Sequence, residues 1–405
     1  MRLFGIRSSL STALAASCLV LSGCGAASTS PPSQQSVPKQ DPAQIFNVTS
    51  IEPDNGVDPL INFINSANTT IDVVIYQFND PQIKQALINA RRSGKRVRVL
   101  FSWQTYKSKN THTSPTSPTY NWNTPTFNSL RAAGVEVAWS RPEFPYTHQK
   151  SVVTDAGTSD GRALIVDYNF QPHYLSGGVS PFDSGQSGTR GFGVTTADRG
   201  VVDEMTKVFN ADWPPFSVGP DLTNPNLVWS PTVPQFPDQP PGNSGIVLPR
   251  LITESSKTLD VYLYLADKGD PQIGQVVDAA KRGVKVRLVA NCKALSAQDL
   301  ERVKEAGAEV LFRPTSPTDP SRFMFIHTKS LVADFGTDRQ RGYVGSENIF
   351  LTQSLARLRE AGAILTQSQA LTVIHDTFER DFSNSQRSCP LDSTPPILTD
   401  FTSQD

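Results

Sequence analysis

The amino-acid sequence predicts an α/β fold made of two tandem halves, each a mostly parallel or mixed sheet flanked by helices. Three observations predict it. The run Thr70–Tyr76 (TIDVVIY) returns as Thr258–Tyr264 (TLDVYLY), both of strand length and rich in β-branched and aromatic residues. Each run is followed by Asp-Pro-Gln-Ile, at Asp80–Ile83 and Asp270–Ile273, and then by apolar residues at helical spacing. Further on, Ala-Ala-Gly-Val-Glu-Val at 132–137 is matched by Glu-Ala-Gly-Ala-Glu-Val at 305–310. The order β-α-β-α-β, with more strands after it, therefore occurs twice. That alternation implies a sheet with helices on its faces.

Each element has a local cause. Asp80 and Asp270 stand where a side chain can cap the free amides of a helix, and the Pro after each suits the first helical position. The apolar stripes are Ile83, Ala86, Leu87 and Ala90 in one copy and Ile273, Val276, Val277 and Ala280 in the other. Both helices run into a basic turn and a glycine, Gly94 or Gly283, as a helix C-terminus should. Alternating strands follow, Val97-Arg98-Val99 and Val286-Arg287-Leu288.

The ends read differently. Arg2 and Arg7 precede a mostly apolar stretch, Leu10–Leu21, too short for a stable membrane span, which is the pattern of a secretory signal. It ends in Leu21-Ser22-Gly23-Cys24, which resembles a bacterial lipobox and implies lipidation of Cys24. The expected organisation is a signal peptide at 1–23, lipidated Cys24 and a tether at 24–44, a first half at 45–213, a Pro-rich connection at 214–244, a second half at 245–385 and a tail at 386–405. The expected location is the cell envelope, anchored on its extracytoplasmic side. Residues 214–243 hold nine Pro, yet Leu227, Val228 and Trp229 could pack, so an ordered crossing is expected there. Removing 1–23 takes away two Arg and no acid, leaving 35 basic and 38 acidic side chains and a formal charge of −3. Bulk charge thus gives no reason to expect a nucleic-acid binder, although a local basic groove remains compatible with it. Cys292 and Cys389 are either a disulfide of an exported protein or two separate thiols. They are too few for a structural zinc site.

One constellation carries chemistry. His148-Gln149-Lys150 is followed by Asp155 and Asn169, and His327-Thr328-Lys329 by Asp334 and Asn348, with every pair offset by 179 residues. In an extended segment residues two apart share a face, so His and Lys of each copy project together. Two copies facing each other bring two imidazoles and two ammonium groups to one place, which suits a phosphodiester. Lys150 and Lys329 would hold the nonbridging oxygens with Asn169 and Asn348 as donors. One His would attack phosphorus, and the other would protonate the leaving alkoxide and then activate water.

The doubled HxKxxxxD motif with its downstream Asn resembles the phospholipase D superfamily over about residues 45–385. The resemblance implies two tandem halves related by a pseudo-twofold with one shared active site, and no cofactor or metal. It implies His148 as nucleophile and His327 as general acid/base. Gly345-Ser346-Glu347-Asn348 matches the family pattern and adds Ser346 to the site; Arg359-Glu360-Ala361-Gly362 resembles the segment whose Glu orients a catalytic His and adds Glu360. The first half departs from the pattern. Val166-Asp167 replaces Gly-Ser, and Arg190-Gly191-Phe192-Gly193 lacks the acid, which leaves Asp183 or Asp167 to substitute. His112 reads as a solvated loop residue, His375 as a helix-surface residue and His173 as a residue without a role in the chemistry, a place near the mouth of the site being the alternative.

The substrate is the open question at this level. Residues 103–125 form an insertion with Trp103, Tyr106, Tyr120 and Trp122 beside Lys107 and Lys109. Such aromatics either dip into a lipid interface, stack nucleic-acid bases, or fold back on themselves. A lipid anchor favours phospholipid or a membrane surface as partner, with hydrolysis or transfer of the head group. A lipid-anchored nuclease and a non-catalytic envelope-binding protein are the alternatives. One chain supplies both halves, so a monomer suffices for catalysis.

Overall fold

The computed structural model describes residues 45–105, 121–175, 188–313 and 324–389, all of them in one compact unit. The first half runs β1 (Asn47–Glu52), α1 (Asp58–Asn65), β2 (Thr70–Ile75), α2 (Pro81–Arg92), β3 (Arg96–Phe101), α3 (Thr124–Ala132), β4 (Glu136–Trp139), β5 (Ser151–Thr154), β6 (Arg162–Val166), α4 (Pro172–Leu175), β7 (Thr189–Thr196) and α5 (Arg199–Asp212). The second runs β8 (Leu227–Ser230), α6 (Ser244–Thr253), β9 (Thr258–Leu263), α7 (Pro271–Lys281), β10 (Lys285–Asn291), α8 (Ala297–Glu305), β11 (Glu309–Arg313), β12 (Phe325–Ile326), β13 (Leu331–Ala333), β14 (Arg341–Gly345), α9 (Thr352–Arg357), β15 (Glu360–Leu365) and α10 (Ser368–Ser383).

Each half forms one sheet, and the strand orders coincide: β4-β3-β2-β5-β6-β7-β1 and β11-β10-β9-β13-β14-β15-β8, with β12 added beside β7. The β-α-β parts are parallel, β3 with β2 and β4 and β10 with β9 and β11, and so is the short ladder of β12 on β7. The remaining ladders within each sheet are antiparallel, so both sheets are mixed rather than mostly parallel. The reason lies in the connections. A helix must carry the chain back between parallel strands, whereas short turns join β5 to β6 and β13 to β14.

The caps form as the sequence predicts. Asp80 Oδ1 accepts from the amides of Gln82 and Ile83, and Asp270 Oδ1 from that of Gln272. Gly94 and Gly283 take φ of 93° and 88° just past their helices, a conformation a Cβ would strain. The proline-rich connection is ordered: β8 lies within it, fully buried, as the edge strand of the second sheet. β8 is thus the counterpart of β1 in the strand order. Cys292, at the end of β10, is disulfide-bonded to Cys389, Cα to Cα 5.6 Å.

The halves share a core. Val153, Ile165, Phe192 and Met205 of the first half pack in one cluster with Trp229, Tyr262, Ile326 and Phe378 of the second. Two buried ion pairs cross between them in equivalent ways. Arg190 at the start of β7 holds Asp381 of α10 at 2.7 Å, and Arg359 just before β15 holds Asp212 of α5 at 2.7 Å. Each half therefore ends in a helix whose carboxylate ties down the last strand of the other.

Candidate active site

The two motifs meet because each is laid against the opposite half. His148-Gln149-Lys150 is an extended run leading into β5, and His327-Thr328-Lys329 leads into β13. The amides of His148 and Gln149 both donate to Arg359 O, at 2.8 and 2.9 Å. The amide of Thr328 donates to Arg190 O at 2.9 Å. The crossed ion pairs fix the same two arginines, so the clamp that joins the halves also sets where the motifs lie.

All the motif side chains are buried. His148 Nδ1 lies 2.5 Å from Glu360 Oε1, at the first residue of β15. Ser354 Oγ donates to the other carboxylate oxygen at 2.6 Å. Glu360 therefore orients a histidine of the opposite half, and it selects the tautomer with the proton on Nδ1 and the lone pair on Nε2. Glu347, hydrogen-bonded to the Tyr343 hydroxyl, lies close by; burial first and the Glu360 charge second push its pKa well up.

Each lysine is held in the same way. Lys150 Nζ donates to His148 O at 2.7 Å and sits 5.3 Å from the Tyr76 ring centroid. Lys329 Nζ donates to His327 O at 2.6 Å, lies 3.0 Å from His327 Nδ1 and 4.9 Å from the Tyr264 centroid. Tyr76 and Tyr264 also pack edge-on against His148 and His327, at 4.8 and 5.0 Å. These tyrosines end the two repeated strand runs, and that equivalence is the sequence signal that could have placed them in the site. The ring faces attract the ammonium groups without neutralising them.

Asn169 and Asn348 follow β6 and β14. Asn169 Nδ2 reaches Gln77 Oε1 at 3.4 Å. Asn169 Oδ1 and both amide atoms of Asn348 are buried without a hydrogen-bond partner among the described residues. Asn348 lines a small recess with Tyr264 and Lys329. Buried amide atoms normally find partners, and of these the Asn348 Nδ2 donor is one that a phosphate oxygen would satisfy.

Three residues assigned to the site from sequence have other work. Asp155 and Asp334 do not join the histidines. Asp155 accepts from the amides of Asn68, Thr69 and Thr70 and from the Thr69 hydroxyl, at 2.6–3.2 Å. Asp334 accepts from the amides of Ser256, Lys257 and Thr258 and from the Ser256 hydroxyl. Strands β5 and β13 separate each Asp from its Lys, so the carboxylates fall at the far end and pin the starts of β2 and β9. These bonds, against the opposing effect of burial, hold both pKa values low. Ser346 Oγ bonds to the backbone of Ala361, accepting from its amide at 3.2 Å, and so ties β14 to β15.

The departures in the first half have a defined geometry. Asp167 does face inward: its Oδ1 accepts from Phe192 N at 2.8 Å and its Oδ2 from Thr328 Oγ1 at 2.5 Å. Burial raises its pKa to about 6, opposed by the Thr328 hydrogen bond and by the charges of Lys329 and Lys150, one from each half. His173 on α4 is buried, which lowers its pKa to about 4, and it stacks on Tyr174 at 4.3 Å, which in turn meets His327 at 4.9 Å. His375 is half-buried rather than on the surface, 3.1 Å from Asp260 and stacked on Phe335 at 3.8 Å. In the insertion, Trp103 is half-buried and Trp122 is exposed. Cys24, Tyr106, Lys107, Lys109, His112, Tyr120 and Asp183 lie outside the described residues. Among the described residues no cluster of His, Cys, Asp and Glu could hold a metal ion, and no helix is long and apolar enough to cross a membrane.

No curated protein matches the chain. Phosphatidylserine synthase of Haemophilus influenzae Rd KW20 is similar in structure, with a TM-score of 0.59, 11% identity, and 85% of this chain covered against 88% of that one. Polyphosphate kinase of Porphyromonas gingivalis gives a TM-score of 0.59 at 15% identity over 87% of this chain, which spans about half, 53%, of the kinase. At these identities the likeness is one of fold. The family described as "Cardiolipin synthase, PLD-like domain" matches residues 60–213 and 248–382, that is, both halves, and the chain belongs to that phospholipase D-like family.

Proposed function

We propose that this protein is a phosphodiesterase of the phospholipase D type that hydrolyses, or transfers, phospholipid head groups while anchored through Cys24 to the extracytoplasmic side of the envelope. The observation that supports it best is the contact of His148 Nδ1 with Glu360 at 2.5 Å, made between halves. It prepares Nε2 of His148 as a nucleophile. Nε2 attacks phosphorus, the bond from phosphorus to the head-group oxygen breaks, and His327 as imidazolium gives its proton to that oxygen. His327, now neutral, takes a proton from water. The resulting hydroxide attacks phosphorus and expels His148, restoring both rings. An alcohol in place of water would give transfer. Lys150 and Lys329 hold the nonbridging oxygens as their charge grows, and Asn169 and Asn348 donate to them.

The test uses the full chain in mixed micelles with EDTA present, offered phosphatidylethanolamine or phosphatidylglycerol, and single-stranded DNA in parallel. Release of phosphatidic acid by the wild type, lost by about 10³-fold or more in His148→Ala and His327→Ala, is expected for residues that carry nucleophilic and acid–base catalysis. DNA cleavage without lipid turnover would move the protein to the nuclease reading. Silence on both would leave envelope binding without catalysis.

A further inference from the structure

The two halves repeat each other strand for strand, which exposes one position where they differ chemically. β6 pairs Val166 with Gly193, and β14 pairs Gly345 with Gly362. Counting back along β7 and β15, Gly191 is therefore the counterpart of Glu360. The same register gives the first half's Asp167 as the counterpart of Ser346. One half thus has Ser and Glu at these two places, and the other has Asp and Gly.

The exchange is complementary in space. A Cβ placed on Gly191 would lie 2.8 Å from Asp167 Oδ1 and 2.8 Å from Tyr168 Cδ1. The Asp167 carboxylate thus occupies the space that a side chain at 191 would enter. Its Oδ1 takes the bond that Ser346 Oγ makes in the other half, to the amide of the equivalent residue, Phe192 in place of Ala361. Its Oδ2 has no equivalent in serine and holds Thr328, the residue between His327 and Lys329. We infer that Asp167 is a positioning residue for the His327–Lys329 segment, supplying from β6 the carboxylate that the symmetry of the fold calls for at Gly191.

Asp167 is placed to act on that segment in two ways. It fixes Thr328, whose amide is already tied to Arg190 O at 2.9 Å, so the short run carrying His327 and Lys329 is held on both sides. It also sets a negative charge near Lys329 and Lys150. The other charged or titratable groups around it are Tyr168, next to it in the chain, and Glu52, which β1 brings opposite Gly191. Glu52 is buried and its pKa is raised to about 9, so it is neutral at physiological pH and does not cancel the role of Asp167. With Asp167 titrating near 6, the segment is held in its working state only above that pH.

This inference rests on the phosphodiesterase reading only for its kinetic arm. The full chain, its Asp167→Asn, Asp167→Ser and Asp167→Ser/Gly191→Glu variants would be assayed on bis(4-nitrophenyl) phosphate from pH 4.5 to 9, with melting temperatures to confirm folding. In parallel, histidine resonances would be titrated by NMR, with His327 assigned through His327→Ala. Asp167→Asn is expected to lower kcat by about 10²-fold with little change in KM, as loss of alignment does, and to remove the acid limb near pH 6. Asp167→Ser is expected to lose as much, and adding Gly191→Glu to recover nothing, because the Tyr168 ring still fills the space at 191. Wild-type kcat and an unchanged limb in a folded Asp167→Asn would overturn the inference. If the wild type cleaves no phosphodiester, the function reading fails alone, and NMR decides: a shifted His327 titration in Asp167→Asn supports the role, and an unmoved one overturns it.

Discussion

One carboxylate of the motif, and one outside it, illustrate how environment assigns a residue its task. Asp155 meets three amides and a hydroxyl, and sits at φ 51° to do so. Asp155→Ala would leave those amides without their acceptor, so a loss of about 3 kcal/mol of stability is expected in a denaturant titration, with kcat of the folded fraction unchanged. Glu52 is the opposite case: its carboxyl group is buried, and the backbone of Gly56 offsets little of that cost. Burial first and Asp54 second lift its pKa from 4.5 to about 9. Between those values the folded chain keeps a proton that the unfolded chain releases, so its contribution to stability falls as pH rises through that window. Glu52→Gln is expected to stabilise the protein by about 3 kcal/mol at pH 7, with the gain vanishing below pH 4.5; melting curves across pH would show the two lines converging.

At the scale of elements, the last strand of each half does the organising. β7 and β15 each carry the arginine clamp at one end and pair with an edge strand, β1 or β8, drawn from sequence that precedes the recognisable repeat. Arg190 is bound through two nitrogens to Asp381, at 2.7 and 2.9 Å, and through a third to Glu52 O at 2.8 Å. Tyr262 adds its hydroxyl to Asp381 at 2.7 Å. Removing Asp381 leaves the buried Arg190 only the half-exposed carboxylate of Asp54, at 3.1 Å. Asp381→Ala is expected to cost about 3–5 kcal/mol and to lower kcat as well, because Arg190 also positions Thr328. A stability loss with kcat of the folded protein unchanged would separate the clamp from the site.

For the whole molecule, catalysis and folding are linked because the site lies between halves. Glu360 of the second half orients His148 of the first, so neither half holds a complete site. The disulfide between Cys292 and Cys389 closes a loop with a sequence separation of 97 within the second half. Cys389→Ser is expected to lower stability by about 4 kcal/mol through the entropy of the unfolded chain, and the wild type should lose a similar amount on reduction. Equal melting temperatures for the oxidised and reduced protein would show that the bond contributes nothing.

The sequence by itself determined the fold class, the duplication, the helix caps and the histidines, lysines and asparagines of the site. These are readable because strand and helix periods, capping residues and a doubled motif are local patterns. It left Cys292 and Cys389 as either thiols or a disulfide, and proximity in the fold settled that. It grouped Asp155, Asp334 and Ser346 with the chemistry, since spacing along a chain does not say which end of a strand a side chain reaches. It also missed Tyr76, Tyr264 and Glu52, and it named Asp167 only as one of two substitutes for a missing acid. It took the fold to show that Glu360 serves His148, that Asp167 reaches Thr328, and that β1 and β8 occupy equivalent edges of the two sheets. Each of these depends on contacts across more than a hundred residues of chain, made when two sheets pack around one core, and no local pattern encodes such a distance.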